Sequence, residues 1–436
     1  MLKIFTNDLQ KIKNNPFILQ SLNTLILRVL GMLILFGFTL FLTKNFSPKI
    51  VGQYDFVRSF LLVIGSICLL GCDQSILYFR GRLKGVNGLY SLKEIYIKMV
   101  GIVFSMAIIL FLIVLATNKD FINAFFSDQG VYLILLKSSG ILFFSALTTL
   151  NTEVFRALDR LYVAELFRNA IKYIPLILGA ILLYYIKKEI YLVDVFLIGF
   201  VILAVITSIL VFNYFSKVKT NTINEPNTYK EIIVKSYPIA ISGMALFLLM
   251  SFDIIFLKKY RDDATVAFYA LAMKLMTILS MVIVTVNITV STKIAEYFST
   301  KNTFELNKIL RNSSRLIFIL TLPIALLICV FSEYILQFFG KEYIVARNAL
   351  LILMIGQGIC SAFGSAPIYL NMTGRQNVFQ IILVMAVIIN FILNRFLIPV
   401  YGMGGAAFAF VASSFFWNFI SAVVIYKKDN VKVYLN

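Results

Sequence analysis

Long apolar runs recur along the whole chain, and they constrain its fold more than any other feature. The first run, 21–43, carries Arg28 well inside it. A polar elbow at 43–53 follows, and a second run, 54–78, carries Arg58 near its start. At about 1.5 Å per residue, twenty apolar residues cross a bilayer core of about 30 Å. Because backbone groups inside lipid must be satisfied within the segment, the runs predict membrane-spanning helices.

Twelve such runs predict an all-α polytopic membrane protein. The runs are 21–43, 54–78, 96–117, 131–150, 164–186, 190–214, 236–257, 265–290, 313–333, 345–370, 377–398 and 403–426. The connections are too short for a soluble domain. We therefore expect an amphipathic segment on the cytoplasmic membrane face at 1–20, six-helix bundles at 21–215 and 236–426, a cytoplasmic hinge at 216–235 and a cytoplasmic tail at 427–436.

The two predicted bundles share a weak internal repeat with an offset of 215 residues. At this offset Tyr54 aligns with Tyr269, within stretches that each read span, polar elbow and span with an early cation. The same offset aligns Arg160 with Arg375 in a separate turn. One offset that holds in two places favours a duplicated half, and such repeats are common in transporter folds.

Composition and charge agree with a membrane protein. The chain has 436 residues, of which 60% are hydrophobic and 14% charged, whereas soluble domains have about 25% charged residues. The net charge of +19 follows the positive-inside rule, so we do not interpret it as a nucleic-acid site. With the N-terminus inside, 24 basic residues fall in inner segments and ten in outer ones, which predicts two cytoplasmic termini.

The remaining six basic residues lie inside predicted spans, where a charge is costly and is usually functional. They are Arg28, Arg58, Lys137, Lys172, Lys274 and Arg395. Acidic residues at similar depth are fewer: Asp253, Asp194 and, near a span end, Asp73. The excess predicts unpaired cations that face a water-filled cavity or an anionic guest. The chain has no histidine, and its four cysteines lie in apolar spans, so we expect no metal or cofactor.

Several of these segments resemble a known family. The elbow FLTKNFSPKIVGQYDFVRSF, the stretch FDIIFLKKYRDDATVAFYALAMKL and the turns ALDR and MTGR are similar to segments of polysaccharide and O-antigen flippases. These flippases belong to the multidrug/oligosaccharidyl-lipid/polysaccharide exporter superfamily. The resemblance extends over essentially the whole chain. It implies two six-helix bundles in a V, with a cationic central cavity lined mainly by helices 1, 2, 7 and 8.

The resemblance also implies a function. Such flippases carry an undecaprenyl-diphosphate-linked oligosaccharide from the cytoplasmic to the periplasmic leaflet of the bacterial inner membrane, for O-antigen, lipopolysaccharide or another surface polysaccharide. Membrane lipids and other polysaccharide assembly proteins are the partners to expect. We predict that pyrophosphate binds to Arg28, Arg58 and Lys274, with Lys172 and Lys137 as further candidates. Asp253 is the candidate counter-charge or coupling residue.

Three other functions stay open at this stage. The first is a related flippase, such as one for peptidoglycan or teichoic-acid precursors. A multidrug or cation exporter of the same fold would bind cationic guests through buried carboxylates, and the excess of span cations argues against it. A glycan polymerase would be a membrane enzyme, and the sequence lacks the long outer loop and the histidine typical of that class. We therefore expect a transporter without catalytic residues.

Overall fold

A computed structural model describes the backbone of residues 16–82, 87–216 and 228–435, and the side chains of 23–81, 92–216 and 228–435. Most of the predicted amphipathic segment 1–20 and the centre of the predicted hinge 216–235 lie outside the described residues. The described chain is helical, which confirms the all-α prediction.

The helices follow one another with short connections. They are α1 (Pro16–Asn45), α2 (Pro48–Leu69), α3 (Cys72–Arg82), α4 (Asn87–Ala116), α5 (Lys119–Phe126), α6 (Val131–Ala157), α7 (Leu161–Asn169), α8 (Ile174–Tyr185), α9 (Leu192–Ser216), α10 (Tyr229–Tyr260), α11 (Asp263–Ser299), α12 (Thr303–Val330), α13 (Ser332–Phe339), α14 (Arg347–Ser361), α15 (Ala366–Met372) and α16 (Gln376–Asp429). Three-residue 3₁₀ turns precede α8 and α9, and a longer 3₁₀ segment, Lys341–Ala346, precedes α14.

Within the described residues, eleven helical segments are long and apolar enough to cross a membrane. The last of them, α16, has 54 residues and consists of two helices, because Gly402 has a non-helical backbone with φ 55°. A Cβ at Gly405 would lie 2.5 Å from the carbonyl oxygen of Leu397, so the chain folds back tightly there. The Arg261 guanidinium donates to the carbonyl oxygen of Pro399 at 3.0 Å. Counted as two, α16 brings the spans to the twelve that the sequence predicts.

Three predicted spans are shifted, interrupted or shortened in the structure. The second span begins at Pro48 and ends at Leu69 instead of covering 54–78, since Leu70 and Gly71 take left-handed backbone angles. The predicted span 164–186 is broken by the 3₁₀ turn Ile171–Tyr173. The predicted span 345–370 ends at Ser361. Its break contains Gly364, where a Cβ would collide with the Ser314 side chain.

The helices pack into two compact units that do not follow the sequence halves. The first unit comprises 1–42, 68–112 and 139–237, and the second comprises 43–67, 113–138 and 238–436. The second unit therefore joins the elbow of the first half to the helices of the second half. The division into bundles at 21–215 and 236–426 stays a prediction.

The second unit has an apolar core. In the second unit Leu310, Tyr369 and Leu383 are fully buried and belong to one apolar core. Part of the predicted tail 427–436 packs on this core. Val433 is buried and its carbonyl oxygen accepts from Ser314 Oγ at 2.7 Å, while the Leu435 N–H donates to the Ala362 carbonyl at 2.7 Å.

The repeat offset recurs in the contacts. In the first unit the Arg160 guanidinium lies 5.2 Å from the centre of the Tyr214 ring. In the second unit Arg375 forms an ion pair with Asp429. Both members of the second pair follow those of the first by 215 positions. An arginine after one helix therefore contacts the same position of a later helix in both halves, as a duplication predicts.

Candidate functional site

Charged and polar side chains of the second unit lie close together where α2 and α11 begin and α10 ends. We call this group the elbow cluster; its members are Gln53, Asp55, Arg58, Asp128, Lys258, Asp263 and Lys274. The backbones of the first elbow (43–53) and the second elbow (258–263) are in contact. A Cβ at Gly52 would lie only 1.7 Å from the Asp263 carbonyl oxygen. The Gln53 side-chain amide also donates to the Asp263 carboxylate at 3.0 Å. Glycine at position 52 thus permits the two elbows to touch.

Lys258 is the buried centre of one half of the elbow cluster. Its side chain is 2% exposed, and its ammonium lies 2.5 Å from carboxylate oxygens of both Asp128 and Asp263. Asp128 belongs to the first half of the sequence, and the other two belong to the second. A buried pair that loses one partner leaves an uncompensated charge, which costs about 3–5 kcal/mol. The ammonium therefore links the two halves of the sequence strongly.

Asp128 lies outside the spanning segments, in the connection between α5 and α6. Burial by itself raises the pKa of Asp128, but hydrogen bonds from Lys258 and from the Gly130 N–H, with the charges of Lys258 and Lys49, outweigh it. The pKa is thus below its usual value. The carboxylate stays ionised at neutral pH, so its ion pair with Lys258 persists there.

Lys274 and Arg58, two predicted phosphate ligands, share one carboxylate in the elbow cluster. The Lys274 ammonium lies 2.7 Å and 2.9 Å from the two carboxylate oxygens of Asp55. Arg58 approaches the same carboxylate at 3.9 Å from one turn along α2. Lys274 and Asp55 are 5% and 1% exposed, whereas Arg58 is about one-third exposed. Lys274 is thus buried and paired with Asp55, and Arg58 is the more accessible of the two cations.

Arg28 belongs to a second charged group, in the first unit. We call it the Glu165 cluster; its members are Arg28, Glu153, Arg156, Glu165, Arg168 and Asn169. Arg28 on α1 makes two parallel contacts with Glu165 on α7, each 3.2 Å long. Arg168 forms an ion pair with Glu153 and approaches Glu165 at 3.8 Å, and Arg156 also pairs with Glu153. The cluster contains three arginines and two glutamates, and Asp73 is a further acidic neighbour, because the charges of Glu153 and Arg168 act on its pKa.

The remaining predicted site residues lie in different surroundings. Lys172 is exposed, 4.9 Å above the Tyr173 ring at the break between α7 and α8. Lys137 is exposed on α6. The position of Lys172 at a helix break, rather than deep in a continuous span, weakens its case as a phosphate ligand.

Asp253 is fully buried in α10. Its carboxylate accepts from the Tyr269 hydroxyl at 2.8 Å and from the amides of Asn394 at 2.7 Å and Asn390 at 3.3 Å. These three donors are all neutral groups. No group of three or more cysteine or acidic side chains suited to a metal occurs in the described parts of the chain.

The expectation of unpaired span cations is wrong for Arg28 and Lys274. Their partners, Glu165 and Asp55, lie 137 and 219 residues away, and neither is among the acids that hydropathy places at span depth. Helical spacing gives a partial signal for both partners, because Asp55 precedes Arg58 by three positions and Glu165 precedes Arg168 by three. Lys258 has no such signal, and the sequence places it in an outer loop.

Asp73, at the start of α3 and outside the spanning segments, gives a pH-dependent prediction. Burial, and then the charge of Glu153, raise the pKa of Asp73 to about 6. Because this exceeds its unfolded value of about 3.9, the protonated form stabilises the fold below pH 4 and this contribution is lost as pH rises through 6. We expect Asp73→Asn to raise thermal stability at pH 8, by up to about 3 kcal/mol, and to have little effect at pH 4.5.

Thermal unfolding of purified protein in detergent at the two pH values measures this effect. Asp159→Asn is the matched control, since Asp159 is 81% exposed and should show no pH-dependent difference. An equal gain from Asp73→Asn at both pH values would contradict the assignment.

Family comparison identifies the chain. The model for "Polysaccharide biosynthesis protein" matches residues 18–292, and the model for MatE matches 238–396. The chain belongs to the polysaccharide biosynthesis protein family. The first match begins before Arg28 and ends beyond Lys274, so it contains every member of both charged clusters. Comparison with curated protein sequences gives no match.

Solved structures show the same fold at low sequence identity. The lipid II flippase MurJ in an inward closed conformation has a TM-score of 0.71 at 15% identity, over 94% of this chain and 87% of that one. An inward-facing multidrug resistance MATE family transporter of the MOP superfamily has a TM-score of 0.70 at 13% identity, over 93% and 97%. The MATE multidrug transporter DinF-BH has a TM-score of 0.68 at 16% identity, over 94% of each chain. The chain thus has the flippase and transporter fold of this superfamily.

Proposed function

We propose that the protein is a flippase that moves an undecaprenyl-diphosphate-linked oligosaccharide from the cytoplasmic to the outer leaflet of the bacterial inner membrane. The observation that carries this proposal is an arginine, Arg28, held within a membrane span by a fork-shaped contact in a chain of the polysaccharide biosynthesis family. Arginine binds phosphate oxygens in the same two-pronged geometry. The headgroup of the proposed substrate is a diphosphate with about two negative charges, and Arg28 is suited to bind it.

The electrostatics of both clusters support an anionic guest. In the Glu165 cluster the Arg28 side chain is 29% exposed, whereas its partner Glu165 is 1% exposed. In the elbow cluster Arg58 is about one-third exposed, whereas its carboxylate partner is buried with Lys274. Each cluster therefore presents a partly accessible arginine. We propose that Arg28 and Arg58, with Lys274 behind Arg58, bind the diphosphate at different stages of transport.

The elbow contacts support alternating access as the mechanism. Gln53 and Asp128 from the first half of the sequence contact Asp263 and Lys258 from the second. We propose that these contacts close the outer side of the transporter and that they separate when the headgroup is released there. Asp253, buried among neutral donors, is then the candidate coupling residue, because a proton taken up by this carboxylate would change its hydrogen bonds to α11 and α16.

The functional test is direct. Deletion of the gene should cause one lipid-linked oligosaccharide to accumulate on the cytoplasmic side, and the purified protein in liposomes should move that lipid between leaflets. Mass spectrometry of the lipid extract identifies the sugars. Failure of the purified protein to translocate the accumulated lipid would contradict the proposal.

A multidrug exporter is the second candidate, supported by the MatE match at 238–396 and by the buried carboxylate of Asp253. The same deletion strain separates the two functions. An exporter of cationic drugs predicts greater drug sensitivity with normal surface polysaccharide, whereas the flippase predicts loss of the polysaccharide with unchanged drug sensitivity.

We propose that both termini are cytoplasmic. A reporter fused after Lys219 should therefore read cytoplasmic, and fusions after Lys119 and Lys341 should read periplasmic, because the basic residues favour the inner segments. Paired phosphatase and fluorescent-protein fusions measure this. A periplasmic signal at Lys219 would break the twelve-span topology.

A further inference from the structure

The contact between Arg28 and Glu165 has the geometry of a ligand complex. The two guanidinium N–H groups that face the carboxylate, on Nε and Nη2, are a pair that also fits two oxygens of a phosphate. Glu165 therefore occupies the position on Arg28 that a phosphate group of the guest would take. The Glu165 carboxylate and a phosphate cannot accept hydrogen bonds from these two donors at the same time.

Glu165 has further partners that would remain if Arg28 left it. Asn169 donates through its amide to one Glu165 carboxylate oxygen at 2.9 Å, and Arg168 lies 3.8 Å from the other. The Glu165 side chain is 1% exposed, so without these partners the loss of Arg28 would leave a bare charge in the interior. With them, the carboxylate keeps one ionic and one hydrogen-bond partner. The arrangement suits an exchange as well as a permanent ion pair.

The backbone holds Asn169 and Glu165 against α1. A Cβ at Gly31, three positions after Arg28, would lie 2.5 Å from the Asn169 carbonyl oxygen, so α1 and the end of α7 pack closely there. The pair is thus formed between fixed helices. Motion of the Arg28 side chain is sufficient to break it.

We infer that Glu165 is a positioning residue that holds the phosphate-binding donors of Arg28 while the carrier is empty and gives them up to the diphosphate of the guest. This inference rests on the proposed function. The competition favours a guest with two negative charges over one with a single charge, because the guest must replace an ionised carboxylate. It also returns Arg28 to Glu165 when the headgroup leaves, which speeds release.

Glu165→Gln tests this role, since glutamine keeps the shape and an oxygen for Asn169 but removes the competing charge. We expect purified Glu165→Gln protein in nanodiscs to bind undecaprenyl diphosphate about tenfold more tightly than wild type. In liposomes the same variant should translocate lipid-linked oligosaccharide with a lower KM and a lower kcat, because release is slower. Glu165→Asp keeps the charge and should restore most of the kcat.

Asp159→Asn is the control, because Asp159 is 81% exposed and pairs with Arg80, outside the Glu165 cluster. It should leave the affinity for undecaprenyl diphosphate within twofold of wild type. The double variant Arg28→Gln/Glu165→Gln should bind no more tightly than Arg28→Gln, since the gain depends on Arg28. A purely structural role predicts lower thermal stability in Glu165→Gln without tighter binding, and that result would overturn the inference.

Undecaprenol, which lacks the diphosphate, separates this inference from the proposed function. If wild type binds undecaprenyl diphosphate no better than undecaprenol, both are wrong. If wild type prefers the diphosphate through Arg28 and Glu165→Gln leaves its affinity unchanged, the function stands and the role of Glu165 does not.

Discussion

Arg28→Gln should lower export of the lipid-linked glycan about a hundredfold at matched protein levels. The Arg28 side chain makes two charge-assisted hydrogen bonds with Glu165, and we propose that it makes an equivalent pair with a phosphate of the substrate. Without that pair, the substrate would bind about 3 kcal/mol more weakly. Each 1.4 kcal/mol corresponds to a factor of ten. Arg28→Lys should retain more activity, because it keeps the charge and loses only the paired geometry. Surface polysaccharide on gels, normalised to membrane protein, measures the effect.

The structure requires a sharper control than single charge reversal. Arg28→Glu places two carboxylates together with Glu165, so its failure would not separate binding from folding. The swap Arg28→Glu/Glu165→Arg restores the ion pair between α1 and α7 but moves the cation to the other helix. We expect the swap to recover thermal stability and membrane insertion without recovering export. Full export by the swapped protein would show that Arg28 is only a structural partner.

Features that depend on neighbouring residues in the sequence are predicted well, and features that depend on contacts between distant residues are not. The spans follow from local hydropathy, and the break at Gly402 falls in the gap between two predicted spans. The ends of helices are predicted less accurately where packing against a distant segment determines where the helix stops. Gly364 ends a span early because the Ser314 side chain and the tail pack against it.

The charged clusters show the same limit more strongly. Hydropathy identifies Arg28 and Lys274 as unusual, but it carries no information on which carboxylate each one meets. Their partners, Glu165 and Asp55, come from distant helices that tertiary packing brings together. Lys258 has the sequence context of an ordinary loop cation and is buried between two carboxylates. These ion pairs depend on how distant helices pack together. They cannot be predicted from the residues that surround each cation in the sequence.

A covalent link between the two elbows should stop transport. Gln53 and Asp263 are in side-chain contact, with the amide nitrogen 3.0 Å from a carboxylate oxygen. In a background without the four native cysteines, we expect Gln53→Cys/Asp263→Cys to form a disulfide under mild oxidation and to lose at least about 90% of its export. Reduction should restore the activity, because the proposed cycle needs these contacts to separate. Export before and after reduction, with the crosslinked fraction from gel mobility, measures the effect.

The matched control joins two residues of the same half. Asn123 and Tyr132 also lie in the second unit, where the Tyr132 N–H donates to the Asn123 side chain at 3.1 Å. Asn123→Cys/Tyr132→Cys should therefore tolerate oxidation with export unchanged, since both residues belong to one connected segment of the first half. The single variants control for the loss of the Gln53 contact and of the ion pair between Lys258 and Asp263. If the oxidised Gln53–Asp263 pair exports at the rate of its reduced form, the elbows stay closed throughout the cycle and the guest must leave by another route.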